Sequence, residues 1–299
     1  MPSTNTTNPQ GYAGRPVTKP PTWHTLVVLD ILFNNLTTGL FLLAAVGELA
    51  LPAVFSPVAT WAYLLALTLL LIDLGLLIMD LGNRIRFHHM LRVFKPSSPM
   101  SLGTWCLTVY SLFLTAIIAV EAVVAVGWLA GDAGTAWWLR KAAVVGGLPF
   151  AFVSAAYKGV LFSTTAQPGW KDARWLGAYL VNSAVLLGAA ELLLIAAVAG
   201  EARAVDLLRP VVGVLAVLNL LPLGLLAGDL SPLLNQLYPQ QSRRSAGVMV
   251  VILGAAFPFG LLLIGGEVVV ASVVLAAIVA ANLAVRFVIV HLPHRATVS

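Results

Sequence analysis

Apolar residues occur in this chain as long unbroken blocks, not in the alternating polar and apolar rhythm of a soluble fold. Eight runs stand out, over 24–50, 58–81, 102–129, 142–164, 176–199, 205–230, 246–264 and 269–290. Each is close to the ~20 residues that an α-helix needs to cross a bilayer. Helix is the state these runs must adopt, because an open strand would leave backbone groups unpaired in lipid. The last two runs are continuous, and the break is placed at Gly265, Gly266 and Glu267. The pattern predicts an all-α polytopic membrane protein with eight transmembrane helices. Residues 1–22, rich in Asn, Thr, Pro and Gly, predict a disordered or partner-bound tail. The first charge is Arg15 and the apolar run that follows is long, so the tail does not read as a secretory signal.

Composition agrees. The 299 residues are 60% hydrophobic and 10% charged, with a mean hydropathy of +0.94. Soluble domains carry about 25% charged residues, so too little polar surface exists here to cover a water-soluble fold. The net charge of +5 is confined to loops and reads as orientation and docking charge, not nucleic-acid binding. All eight tryptophans fall at or near predicted helix ends, where an aromatic belt belongs.

An even helix count puts both termini on one side, the near face. That face takes 13 of the 17 Lys and Arg residues, Lys158 and Arg286 counted among them, and the far face takes Arg140, Lys141, Arg203 and Arg209. The positive-inside rule then places the near face in the cytoplasm. A faint repeat runs through the chain. Leu74-Gly75-Leu76-Leu77 with Asp80-Leu81 recurs as Leu223-Gly224-Leu225-Leu226 with Asp229-Leu230, and Glu121-Ala122-Val123-Val124-Ala125 resembles Glu267-Val268-Val269-Val270-Ala271. We read two four-helix bundles, 23–164 and 165–299, the first carrying a basic loop at 82–101.

Candidate chemistry is sparse. Cys106 is the one cysteine, too few for an iron–sulfur cluster. The five histidines lie at near-face ends or loops, so no pair is placed to hold a haem within the bilayer. Phosphate loops, nucleophile elbows and zinc spacings are missing from the sequence. What remains is a set of intramembrane carboxylates: Asp30, Asp73, Asp80 and Asp229 in the near half, Glu48, Glu121, Glu191 and Glu267 in the far half. Such groups cost several kcal/mol in lipid and line cavities or proton routes, or else hold helices together. Glu48, Asp80, Asp229 and Glu267 lie near the interfaces, where a purely structural role is expected.

The densest polar segment follows the second run. It reads Asp80-Leu81-Gly82-Asn83-Arg84-Ile85-Arg86-Phe87-His88-His89, then Ser98-Pro99-Met100-Ser101-Leu102-Gly103-Thr104-Trp105. On physical grounds it is a basic, His-bearing collar at the membrane surface, suited to lipid phosphates or a docking partner. This segment resembles the NrfD-like family, the membrane subunits of polysulfide reductase and related complexes. Tyr157-Lys158-Gly159-Val160-Leu161 followed by Pro168-Gly169-Trp170 is similar to a second family motif.

The resemblance implies a quinone-binding subunit, for menaquinone or ubiquinone, with no haem or iron–sulfur cluster of its own. It implies a ferredoxin-like iron–sulfur partner and a catalytic, often molybdopterin, subunit, in a bacterial or archaeal inner membrane. In that family a His, an Asn and a Tyr surround the quinone head. Tyr157 matches the Tyr; registering the first run on Gly39-Leu40-Phe41 puts Asp30 at the His and Val27 at the Asn, both departures. The site expected from residues and resemblance together is Asp30, Asp73 and Tyr157 as acid–base groups. Arg84, Arg86, His88 and His89 are expected near the quinone or its partner, and Glu121 and Glu191 as a proton path. The family also carries its iron–sulfur partner on the outer side, opposite to the orientation that the charge count gives. A transporter or proton channel without redox chemistry, and a purely structural anchor, remain the competing readings.

Overall fold

The computed structural model describes residues 23–129 and 134–296; the expected N-terminal tail lies outside them. Among these residues the chain is helical, with eight spans long and apolar enough to cross a membrane. Five spans are single helices: α1 (Thr25–Ala50), α2 (Pro52–Asp80), α3 (Pro99–Ala125), α4 (Thr135–Ser163) and α5 (Leu176–Val198). The sixth is α6 (Ala202–Leu218) continued by α7 (Leu220–Leu237). The seventh joins α8 (Gln240–Val251) to α9 (Phe257–Ile264) through a π-helical turn at Ile252–Ala256, and α10 (Val268–Ala296) is the eighth. The break expected at 265–267 is where α9 gives way to α10.

Helix ends follow local chemistry. The second span starts at Pro52, six residues before the uniform apolar run, because proline at the first helical position gives up an N–H that has no intrahelical partner there. The motif loop forms a short 3-10 helix over Arg84–Leu91 with residues 84–89 exposed and none of its residues buried. Its Ser-Pro-Met-Ser stretch is a helix start: the Ser98 hydroxyl accepts from Ser101 N at 3.4 Å and Pro99 occupies the first position of α3. The Ser101 hydroxyl donates to Val93 O and accepts from Lys95 N, folding the loop back onto that start.

α1 and α5 are the central helices, with 78% and 61% of their most apolar windows buried. α1 packs on α2 and α4, and α3 on α4 and α2; α5 packs on α6 and α10, which close on the π turn and α9. The two groups meet where α1 crosses α5. Gly39 and Gly188 lie backbone to backbone there, so a Cβ on either would strike the other helix. The main apolar core runs through both groups, from Leu40 and Phe41 to Leu186, Leu187 and Ile278.

Three expectations need correction. Trp170 is not a belt residue: it is buried, stacks on Trp23 and donates from Nε1 to Ile289 O. Trp61, Trp128 and Trp138 are well exposed, as a belt requires. Lys158 and Arg286, counted as near-face surface charge, are buried inside the bundle. An apolar run in one dimension hides a cation whose stem and head are both enclosed by neighbouring helices.

Candidate functional site

Near the near-face ends of the first four spans, three helices bring charged side chains together. α1 supplies Asp30 and Asn34, one helical turn apart on one face; α2 supplies Asp73; α4 supplies Ser154 and Lys158, also one turn apart, with Tyr157 beside them. Lys158 Nζ lies 2.9 Å from Asp30 Oδ1 and 3.6 Å from Asp73 Oδ1, and donates to the Asp30 carbonyl at 3.1 Å. Asn34 Nδ2 donates to Asp73 Oδ2 at 3.1 Å and to Ser154 Oγ at 3.2 Å. All six side chains are buried.

Two carboxylates share one ammonium. A buried carboxylate beyond the one that Lys158 neutralises is uncharged only when it holds a proton. Asp73 Oδ1 and Asn34 Oδ1 are buried without a hydrogen-bond partner. Tyr157 packs its ring flat on Gly103, where a Cβ would drive into the ring. Gly159, two residues on, meets the backbone of Gly177 at the start of α5. The glycines of both motifs thus let α3 and α5 approach α4 on either side of Tyr157.

The other expected residues are placed as follows. Arg84, Arg86, His88 and His89 stand exposed on the 3-10 helix beside exposed Ile85 and Phe87. Among the described residues no hydrogen bond or ion pair joins those four to the acid group. Glu191 is buried on α5 with Oε2 unpartnered. Tyr110 is buried on α3 and hydrogen-bonded to Thr37, one turn beyond Asn34. Glu121 lies at the far end, ion-paired with Arg140. Arg140 also binds Glu48, which holds Lys141 and Tyr63 as well, the structural role expected of an interfacial acid. Asp229 pairs at 2.9 Å with the exposed Arg174.

Sequence reasoning missed Lys158 as a partner for the acids, although it lies inside the fourth run directly after Tyr157. It also missed a second polar cluster. Counting 149 positions on from Asp30, Asn34 and Gly39 gives Tyr179, Ser183 and Gly188, the repeat spacing of the Leu-Gly-Leu-Leu match. Tyr179 donates to Asn282 Oδ1; Arg286, one turn further along α10, donates to Asn282, Ser183 and Asn35. Asn282 and Arg286 on α10 are spaced i to i+4, as Ser154 and Lys158 are on α4, although 128 positions separate the pairs and not 149. The second cluster keeps the cation and has no carboxylate among its hydrogen-bond partners.

No curated protein sequence matches the chain. The profile of the family described as polysulphide reductase, NrfD, matches residues 16–293, and with eight membrane-spanning helices and both motifs in place the chain belongs to that family of membrane proteins.

Proposed function

We propose that the chain is the quinone-reactive membrane subunit of a multi-subunit oxidoreductase. In this reading it exchanges electrons between the quinone pool and an iron–sulfur partner joined to a catalytic, often molybdopterin, subunit, in a bacterial or archaeal inner membrane. The observation that carries this reading is the buried group of two carboxylates and one lysine beside Tyr157. A bound quinone supplies two-electron, two-proton redox chemistry at its carbonyl oxygens. The polar set fits it: a phenol, an ammonium, a carboxyl able to exchange a proton, and the Asn34 amide oxygen, which has no hydrogen-bond partner. Tyr157 orients the head by hydrogen bonding. Asp30 and Asp73 would hold one of the two protons for exchange with it, and Lys158 would hold the remaining negative charge in place.

Proton movement toward the far face would run from Asp73 past Thr37 and Tyr110 to Glu191, with Glu121 beyond it at the far mouth. Arg84, Arg86, His88 and His89 would receive the iron–sulfur partner, their exposure leaving the basic edge of the 3-10 helix free for a docking surface.

The test is quinol-linked turnover of the purified complex. Asp30→Asn and Tyr157→Phe are each expected to lower it by an order of magnitude or more (about 10²-fold for a lost proton-transfer group) while the subunits still co-purify. Wild-type turnover in both would remove the site. One observation favours a second reading, transport without redox chemistry: the interrupted sixth and seventh spans face each other, with Asn219, Leu220, Val250 and Gly254 around one small cavity. A complex that co-purifies with no redox partner and no quinone would favour it.

A further inference from the structure

At the opposite end of the first four spans from the acid group lies a cavity of about 570 Å³. It opens between the end of α1, the start of α2, the end of α3 and the start of α4. Its polar side is made by Glu121, Arg140 and Lys141 over the buried Glu48; apart from Ser56 the remaining walls are apolar, with Trp137 among them. Glu48 is two residues from the end of α1, Glu121 four from the end of α3, and Arg140 five from the start of α4. At 1.5 Å per residue that is roughly 3 to 8 Å inside the helix ends. Helices of 27 and 29 residues exceed a ~30 Å hydrocarbon core by about 10 to 14 Å, shared between their two ends. The cavity thus sits at the boundary between headgroups and acyl chains.

Hydrogen-bond accounting shows what it offers. Both oxygens of Glu48 are taken, one by Arg140 Nε and Lys141, the other by Arg140 Nη2 and Tyr63. Arg140 spends Nη1 on Thr60 and Glu121. Lys141 contacts the Glu48 side chain and backbone, which leaves one of its three N–H groups open. Glu121 lines the cavity with its side chain 29% exposed; one oxygen is on Arg140, and among the described residues no hydrogen bond engages the other. An ammonium donor and a carboxylate acceptor thus stand side by side at headgroup depth, above apolar walls.

We propose that this cavity holds the headgroup of a zwitterionic, primary-amine phospholipid from the surrounding bilayer. Its phosphate takes the open N–H of Lys141, its ammonium donates to Glu121, and its chains follow the apolar walls. A quaternary ammonium has no N–H for Glu121, and an anionic headgroup without an amine brings like charge to it. The inference does not depend on the quinone reading.

The experiment is native mass spectrometry of the protein, purified in mild detergent with any subunits that accompany it, after exchange with equal amounts of phosphatidylethanolamine, phosphatidylcholine and phosphatidylglycerol. The expected result is retention of phosphatidylethanolamine about tenfold over the other two, the size of one charge-assisted hydrogen bond. Glu121→Gln should remove the preference for the primary amine while phospholipid is still retained. Lys141→Gln should lower retention of all three. Equal retention of the three lipids by the wild type, or an unchanged preference in Glu121→Gln, would overturn the proposal even if Lys141→Gln does not fold.

Discussion

Asn34 and Asn35, neighbours on α1, serve different halves of the molecule. Asn34 donates to Asp73 and Ser154 in the first group of spans; Asn35 donates to Leu180 O and accepts from Arg286 in the second. Side chains one residue apart on a helix point about 100° apart, so α1 is polar on two faces and must be enclosed on both. That is why it is the most buried span. It also ties the placement of the acid group to the packing of the other half.

Arg286 tests that tie. It bonds to Asn35, Ser183 and Asn282, three neutral acceptors on three helices. Arg286→Met removes a donor from each and strands Asn35 Oδ1, at about 1–3 kcal/mol for a buried group left unsatisfied, while Asn282 keeps Tyr179 and Ser183 keeps Leu180 O. Thermal unfolding in detergent should show a clearly lowered midpoint, with Arg286→Lys in between. A midpoint equal to wild type in Arg286→Met would mean that the cluster contributes nothing to the seam.

Charge balance in the acid group gives a second expectation. Lys158→Met leaves Asp30 and Asp73 without their cation and should sharply reduce folded protein. Adding Asp73→Asn to it removes one of the stranded charges and should recover part of the yield, a coupling of about 0.5–3 kcal/mol for groups in one network. Fluorescence-detected size exclusion of the two single variants and the double reads this directly. Strictly additive losses would show that Lys158 and Asp73 do not interact.

Much of this architecture is legible in the residue order. Eight apolar runs give eight spans because lipid allows the backbone no other solution, and the Gly265-Gly266-Glu267 break is visible for the same reason. The motif loop is legible because Ser98 and Pro99 act within one turn of each other. What a run cannot reveal is which of its charges point inward. Lys158 and Arg286 lie inside apolar runs, but only the packing of α4 and α10 on α1 and α5 shows that they are enclosed. The i to i+4 pairs Asp30–Asn34, Ser154–Lys158 and Asn282–Arg286 carry the missing signal, since polar groups on one face of a membrane helix demand a polar neighbour. Glu121 shows the converse: its position in the run suggests depth, yet its partner Arg140 enters from the opposite helix end.

The motif glycine of α3 is expected to act through Tyr157. A methyl group at Gly103 overlaps the tyrosine ring, so Gly103→Ala should move the phenol and lower quinol-linked turnover about as much as Tyr157→Phe. Gly75→Ala and Gly224→Ala, where a Cβ meets nothing within 4 Å, serve as controls and should behave as wild type. A fully active Gly103→Ala protein would detach Tyr157 from the reaction.

Orientation is the final expectation, and the structure changes its arithmetic. With Lys158 and Arg286 buried, they cannot act as loop charge, and the near face keeps 11 of the 13 basic residues assigned to it, against four on the far face. Of the four, Arg140 is ion-paired with Glu48 and Glu121, and Arg209 donates to the Leu262 carbonyl. The excess therefore persists. Removing all four Lys and Arg residues of the motif loop, Arg84, Arg86, Arg92 and Lys95, still leaves seven against four. The positive-inside rule counts such Lys and Arg residues in short loops and near span ends, so the near face is expected in the cytoplasm. A partner docked on the outer side over the same loop would need the opposite orientation. A reporter active only after export, fused behind Ser299, should stay silent, while the same reporter inserted between Gly131 and Asp132 should be active. Reversed activities would show that the basic collar serves docking alone and that the near face is exported.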